Sequence, residues 1–259
     1  NAEDRAKAFD WLAAADAVAQ NINDLRGDVS ALPTARFDVI KAAAQVGLEI
    51  PDAEQLDEYA QAMRSEPDKY LEKTLDEVSA AAVRWKAGCA AADFVKIYEM
   101  RKDYKQAIVC GLKGVEYFQL ALKFRDNVGK LPLGLLQARL GVDFANGLKN
   151  AKEALPRLDA ANSLFKAIES DLKPSDAAEV GARLAAAGSA YWKAEKRDEG
   201  LDAMRRAVTL IEFAVKEKAA DKGALYVPYA NLSTMYKGLQ KADEAAKYAK
   251  LAKGVAPTK

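Results

Sequence analysis

"LAAAGSAYWKAEKRDEGLDAMRRAV", residues 184–208, holds two short apolar faces on either side of a charged break. Gly188 stands three residues before Tyr191 and Gly200 nine residues after it, with Met204 and Ala207 four and three further on. Residues three, four and seven apart share one face of an α-helix. The stretch therefore reads as two helices joined across "EKRDE" (195–199), each offering a small-residue face to the other. A small residue at a crossing lets two backbones approach closely, and a large aromatic fills the space beside it. One such pair cannot bury its own faces, so the pattern has to recur.

It recurs with a near-fixed period. Tyr98, Phe144, Tyr191 and Tyr236 are spaced by 46, 47 and 45 residues. Three before each stands Val95, Gly141, Gly188 or Ser233. Nine after (ten in the second unit) comes Ala107, Ala154, Gly200 or Ala245. Four further lie Gly111, Leu158, Met204 and Ala249, and seven further Gly114, Ala161, Ala207 and Ala252. The turns "MRKDY" (100–104), "EKRDE" and "LQKADE" (239–244) each offer an Asp able to cap a helix start. The last unit closes as "QKADEAAKYAKLAKGVAP" (240–257), where Pro257 stops the helix.

These rows resemble the tetratricopeptide repeat (TPR) family over about residues 88–259. The nearest matches are residues 184–208 and "NLSTMYKGLQKADEAAKYAKLAKGVAP" (231–257), and "FVKIYEMRKDYKQAI" (94–108) shows the family's turn and helix-start pattern. The family's repeat is about 34 residues, and the spacing here is 45–47. The excess makes roughly three more helical turns and is expected mainly in the second helices, about 104–125, 151–171 and 198–219. These run on before "NVGKLPLG", "LKPSD" and "ADKGALYVP". Lengthened units of this kind are similar to those of light-chain-type TPR arrays. The resemblance implies an all-α, right-handed α-α solenoid of four TPR-like helical hairpins with a helical N-terminal cap. Its units fall at about 88–126, 134–172, 177–220 and 226–259, within an array over 68–259 capped by residues 1–67.

Upstream of the register, residues 2–27 form an amphipathic pattern with Phe9, Leu12, Ala15, Val18 and Ile22 on one side and Gly27 as a cap. Residues 32–51 and 52–65 give two further helices. No proline occurs between Pro67 and Pro132, and the three-four spacing from Leu71 to Ala92 predicts one long helix over about 68–101. The alternative to a cap is a separate N-terminal binding domain.

Composition narrows the function classes. The 259 residues carry 39 basic and 38 acidic side chains, a formal net charge of +1, which offers no basic excess for nucleic acid. No run approaches the ~18 apolar residues of a membrane span. The chain contains no histidine, which removes the commonest general base and metal ligand together. No cofactor or metal site, and no catalytic constellation, is expected. Cys89 and Cys110 are too few for a disulfide framework, and read either as two thiols on neighbouring helices or as one bridge. The start at Asn1, without Met, suits an exported product after signal-peptide removal somewhat better than a cytoplasmic protein.

The resemblance further implies that the first helices line a concave groove for a peptide or partner helix. Carried over by position, that face comprises Asp93, Lys96 and Met100; Arg139, Val142 and Asn146; Ser189, Trp192 and Lys193; and Asn231, Thr234 and Lys237. The row Ala92, Ala138, Ala185, Ala230 stands where chaperone-binding members carry a clamp lysine, so a carboxylate clamp is not expected. Those alanines read either as a smooth trough floor or as helix formers near a contact. The stripe Lys247, Lys250, Lys253 reads as a solvated end face. The expected function is a non-enzymatic protein- or peptide-binding scaffold, with self-assembly through the same surfaces as the alternative.

Overall fold

The computed structural model describes residues 53–71, 77–123 and 126–256. The helices expected over 2–27 and 32–51 lie outside the described residues. Among the described residues the protein is all helical, and its helices pack in pairs. They are α1 (Ala53–Leu71), α2 (Glu77–Met100), α3 (Tyr104–Leu122), α4 (Asp126–Val142), α5 (Ala151–Ile168), α6 (Pro174–Lys193), α7 (Arg197–Lys216), α8 (Tyr226–Gly238) and α9 (Ala242–Gly254). The chain divides into two compact units, residues 1–129 and 130–259.

In the first unit α2 and α3 form a hairpin that α1 packs against. The Tyr98 hydroxyl near the end of α2 donates to Asp57 Oδ1 near the start of α1 at 2.6 Å. Tyr117 of α3 donates to the Arg64 carbonyl at 3.1 Å, and Lys113 pairs with Asp68 at 2.7 Å. The expected long helix over 68–101 is therefore corrected: α1 runs on through Pro67 to Leu71, and α2 lies antiparallel to it. The lost hydrogen bond at Pro67 is tolerated because Ala60, Met63 and Pro67 face inward and are buried. Neither cysteine is in a disulfide; Cys110 is buried in this hairpin and Cys89 half-buried. Burial pushes the Cys110 thiol up to about 11, although Arg64 donates to its sulfur at 3.4 Å.

The second unit contains the hairpins α4/α5, α6/α7 and α8/α9 around one continuous core. The registered aromatics Tyr98, Phe144, Tyr191 and Tyr236 are all buried, as are Ala107, Ala154 and Gly200 in the small-residue row. At the α6/α7 crossing a Cβ on Gly188 would sit 2.9 Å from the Gly200 carbonyl and 3.1 Å from the Met204 amide. The backbones touch there, so only glycine fits.

A second registered row explains the long period. Gly88, Gly134 and Gly181 each stand ten residues before the aromatic. A Cβ there would meet Phe118 at 2.7 Å, Phe165 at 2.7 Å and Ile211 at 2.6 Å. Each glycine receives a large side chain from the far end of the second helix and locks two extended helices together. The expectation that the added length sits mainly in the second helices is corrected accordingly. Both members lengthen, α6 and α7 to 20 residues each, while α8 and α9 have 13 each. "NVGKLPLG" is not a connecting loop but lies inside α4, with Pro132 accommodated in the helix.

Each first helix ends in the same backbone turn. The carbonyl of the registered aromatic accepts from Asp103, Asn150, Lys196 and Lys241 at 2.9, 2.8, 3.0 and 2.9 Å. A left-handed residue precedes each donor: Lys102, Lys149, Glu195 and Gln240, none of them glycine. Of the three aspartates expected as caps, Asp103 accepts from the Gln106 amide at 3.1 Å. Asp198 and Asp243 instead lie in the first turn, where their charge faces the helix dipole. The second unit's extra residue, seen as an offset of ten, is absorbed by a π-helical turn at Asp143–Gly147.

Candidate functional site: the first-helix face

In the first unit Asp93 and Lys96 form an ion pair at 3.0 Å, and Met100 is 67% exposed at the end of α2.

The other nine candidates lie in the second unit, on α4 with its π-helical turn, α6 and α8. Two hydrogen bonds join these helices through side chains of the face itself. Lys193 Nζ donates to Asn146 Oδ1 at 3.1 Å, linking α6 to the π-helical turn. Asn231 Nδ2 donates to Ser189 Oγ at 3.2 Å, linking α8 to α6. Ser189 Oγ in turn donates a hydrogen bond to the Ala185 carbonyl at 3.1 Å, and Thr234 likewise donates to the Ala230 carbonyl at 3.0 Å. Lys193, Thr234 and Lys237 are exposed, while Asn146, Ser189 and Asn231 are half-buried.

Trp192 is half-buried and packs on the core. The Arg197 guanidinium lies over its ring at 4.2 Å, and a Cβ on Gly238 would come 3.1 Å from Cζ2. The half-buried indole is thus a wedge between the α6/α7 turn and the end of α8. Arg139 is buried at 8% exposure and Val142 is half-buried against the core, so neither offers an open side chain. Ala138 and Ala185 are buried core residues and not an open trough floor; Ala92 and Ala230 are half-buried.

The repeat register did not single out Arg197, Gln137 or Asp143. Gln137 and Asp143 are buried at 2% and 3% exposure, in rows that other units fill with Ala91, Leu184 and Tyr229 or with Ile97, Ala190 and Met235. Two polar residues in otherwise apolar or aromatic rows, beside the one-residue slip, were the available signal. Among the described residues no cluster of three metal-ligating side chains occurs, and no helix is long and apolar enough to cross a membrane.

No family model matches the chain, and no curated protein matches it. Among solved structures it is similar to BtubC (BKLC) from P. vanneervenii, with a TM-score of 0.61 at 16% identity. The match covers 97% of this chain and 90% of that one. At this identity the likeness speaks to the fold alone.

Proposed function

We propose that this chain is a non-enzymatic protein- or peptide-binding scaffold, a right-handed solenoid of four TPR-like hairpins that holds its partner in the groove of the first helices. The observation that carries the reading is the pair of face hydrogen bonds, Lys193 to Asn146 and Asn231 to Ser189. They make three successive first helices of the second unit one polar surface, with Trp192 beside it. Half-buried amides and hydroxyls of this kind keep a second lone pair or proton for a peptide backbone. A histidine-free chain lacks the commonest general base, and recognition by shape and hydrogen bonding needs none. Residues 1–67 act as the helical cap of the array in this reading.

The test compares the parent chain with a Trp192→Ala, Asn231→Ala variant, both immobilised and exposed to source lysate. The expected result is a partner retained by the parent and lost by the variant, at a temperature where the melting curves show both chains folded. A partner retained equally by both sinks the groove assignment. Light scattering across concentration identifies self-association, in which the retained partner is the chain itself.

A further inference from the structure

The charges of the second unit are sorted by helix layer. From Lys130 to Gly147 the only acid is Asp143, which is buried. Neither the rest of α6 beyond Glu179 nor any of α8 contains an Asp or Glu, and the unit's other helical acids lie mostly on α5, α7 and α9. On the first-helix face, Lys193 is exposed and hydrogen-bonded to a neutral amide oxygen. Lys237 is exposed, and Arg197 covers Trp192. None of these three forms an ion pair among the described residues. The first unit differs: its Lys96 is neutralised by Asp93 at 3.0 Å, beside the apolar Met100.

Resting on the groove reading above, we propose that the second unit's first-helix face takes an acidic peptide segment. Its carboxylates meet Lys193, Lys237 and Arg197, whereas Lys96 of the first unit is already paired with Asp93. Lys193 and Lys237 stand on helix segments (α6 beyond Glu179, and α8) that carry no carboxylate, while Arg197 of α7 adjoins the exposed Glu195, Asp198 and Glu199. An anionic segment therefore meets attraction chiefly along the two lysines, and a cationic one meets repulsion there. The charges are exposed, so the attraction is modest per pair and weakens with salt as the Debye length shortens. Asn231 and Thr234 between the cations supply hydrogen bonds that salt leaves in place.

The probe is a labelled oligo-glutamate peptide, with oligo-glutamine of the same length as control. The parent is expected to bind the first and not the second, more weakly as salt rises. Lys193→Glu with Lys237→Glu should weaken binding about tenfold or more, and the pair changed to Gln should fall between. Reversing Lys247, Lys250 and Lys253 on α9 should leave binding unchanged, with all melting curves alike. Binding that follows the α9 lysines, binding to both peptides alike, or binding to neither overturns the proposal. A chain that retains a partner through Trp192 and Asn231 yet ignores oligo-glutamate loses the acidic assignment and keeps the groove.

Discussion

The hairpins α6/α7 and α8/α9 share one register and differ in length by about two turns in each helix. In the longer hairpin Gly181 receives Ile211 from the far end of the partner helix. In the shorter one the equivalent of Gly181 is Tyr226, where α8 begins, and α9 ends at Gly254. With no small residue to admit a large one, there is nothing for further turns to pack against, and Tyr226 is left 40% exposed. A marginal helix exists by virtue of the face it buries, so its length follows its partners. The shorter hairpin is held instead by a side-chain bond, Ser233 Oγ to the Ala245 carbonyl at 2.8 Å, and by Tyr236 stacked on Tyr248 at 5.5 Å.

The largest expected difference lies at the registered aromatics. Tyr191→Ala removes a ring that is 1% exposed, together with the hydroxyl that donates to Asp159 at 2.6 Å. We expect a loss of roughly 3–5 kcal/mol, as for large-to-small changes of buried aromatics, with the second unit melting as a whole. Tyr236→Ala is expected to loosen α8 and α9 first, seen as faster hydrogen exchange there before any global transition. Equal global losses from both would erase the distinction between the hairpins.

Next comes the crossing. Gly188→Ala drives a methyl against backbone that cannot swing away, and should cost about 1–3 kcal/mol as overpacking does. Ser233→Ala at the same register removes one hydrogen bond and should cost about 0.5–1.5 kcal/mol. Chemical denaturation of both variants checks the order, and a reversal would mean that the α6/α7 backbones are not in contact.

Alkaline pH acts more gently, and on both hairpins. Burial, and then the hydrogen bond to Asp159, hold the Tyr191 phenol well above its ordinary value of 10.0. The folded phenol keeps its proton where the unfolded one loses it, so this contribution is whole below about pH 10 and falls as pH rises beyond it. Tyr98, Tyr117 and Tyr229 shift the same way, also chiefly through burial. Melting temperature should therefore drop above pH 10, and Tyr191→Phe should make that drop shallower. An unchanged slope in Tyr191→Phe would remove Tyr191 from the account.

The aromatic row and the turns were legible because each repeats at one interval. The helix bounds near Pro67 and Pro132 were not, since proline's local cost was set against burial that only tertiary contacts reveal. The Gly181 row was equally periodic, but its meaning needed Phe118, Phe165 and Ile211 in place. At the site, Asn146 and Lys193 are 47 residues apart, one repeat, so their bond follows the register. The burial of Arg139 does not, because the slip that precedes α5 shows in sequence only as a count.

The smallest effect concerns the turns. Glu195 and Gln240 hold φ of 62° and 59°, where a side chain costs about 1–2 kcal/mol and glycine costs little sterically. Glycine also gives the unfolded chain more freedom, which returns roughly 0.5–1 kcal/mol. The net expectation for Glu195→Gly is a gain of a few tenths to about 1 kcal/mol. Because α6/α7 sits within the core, that gain should raise the global melting temperature. Gln240→Gly makes the same local exchange in a hairpin expected to open on its own, so its gain should appear as slower hydrogen exchange in α9 with the global transition unmoved. A global rise of equal size in both variants would show that the short hairpin unfolds only with the rest.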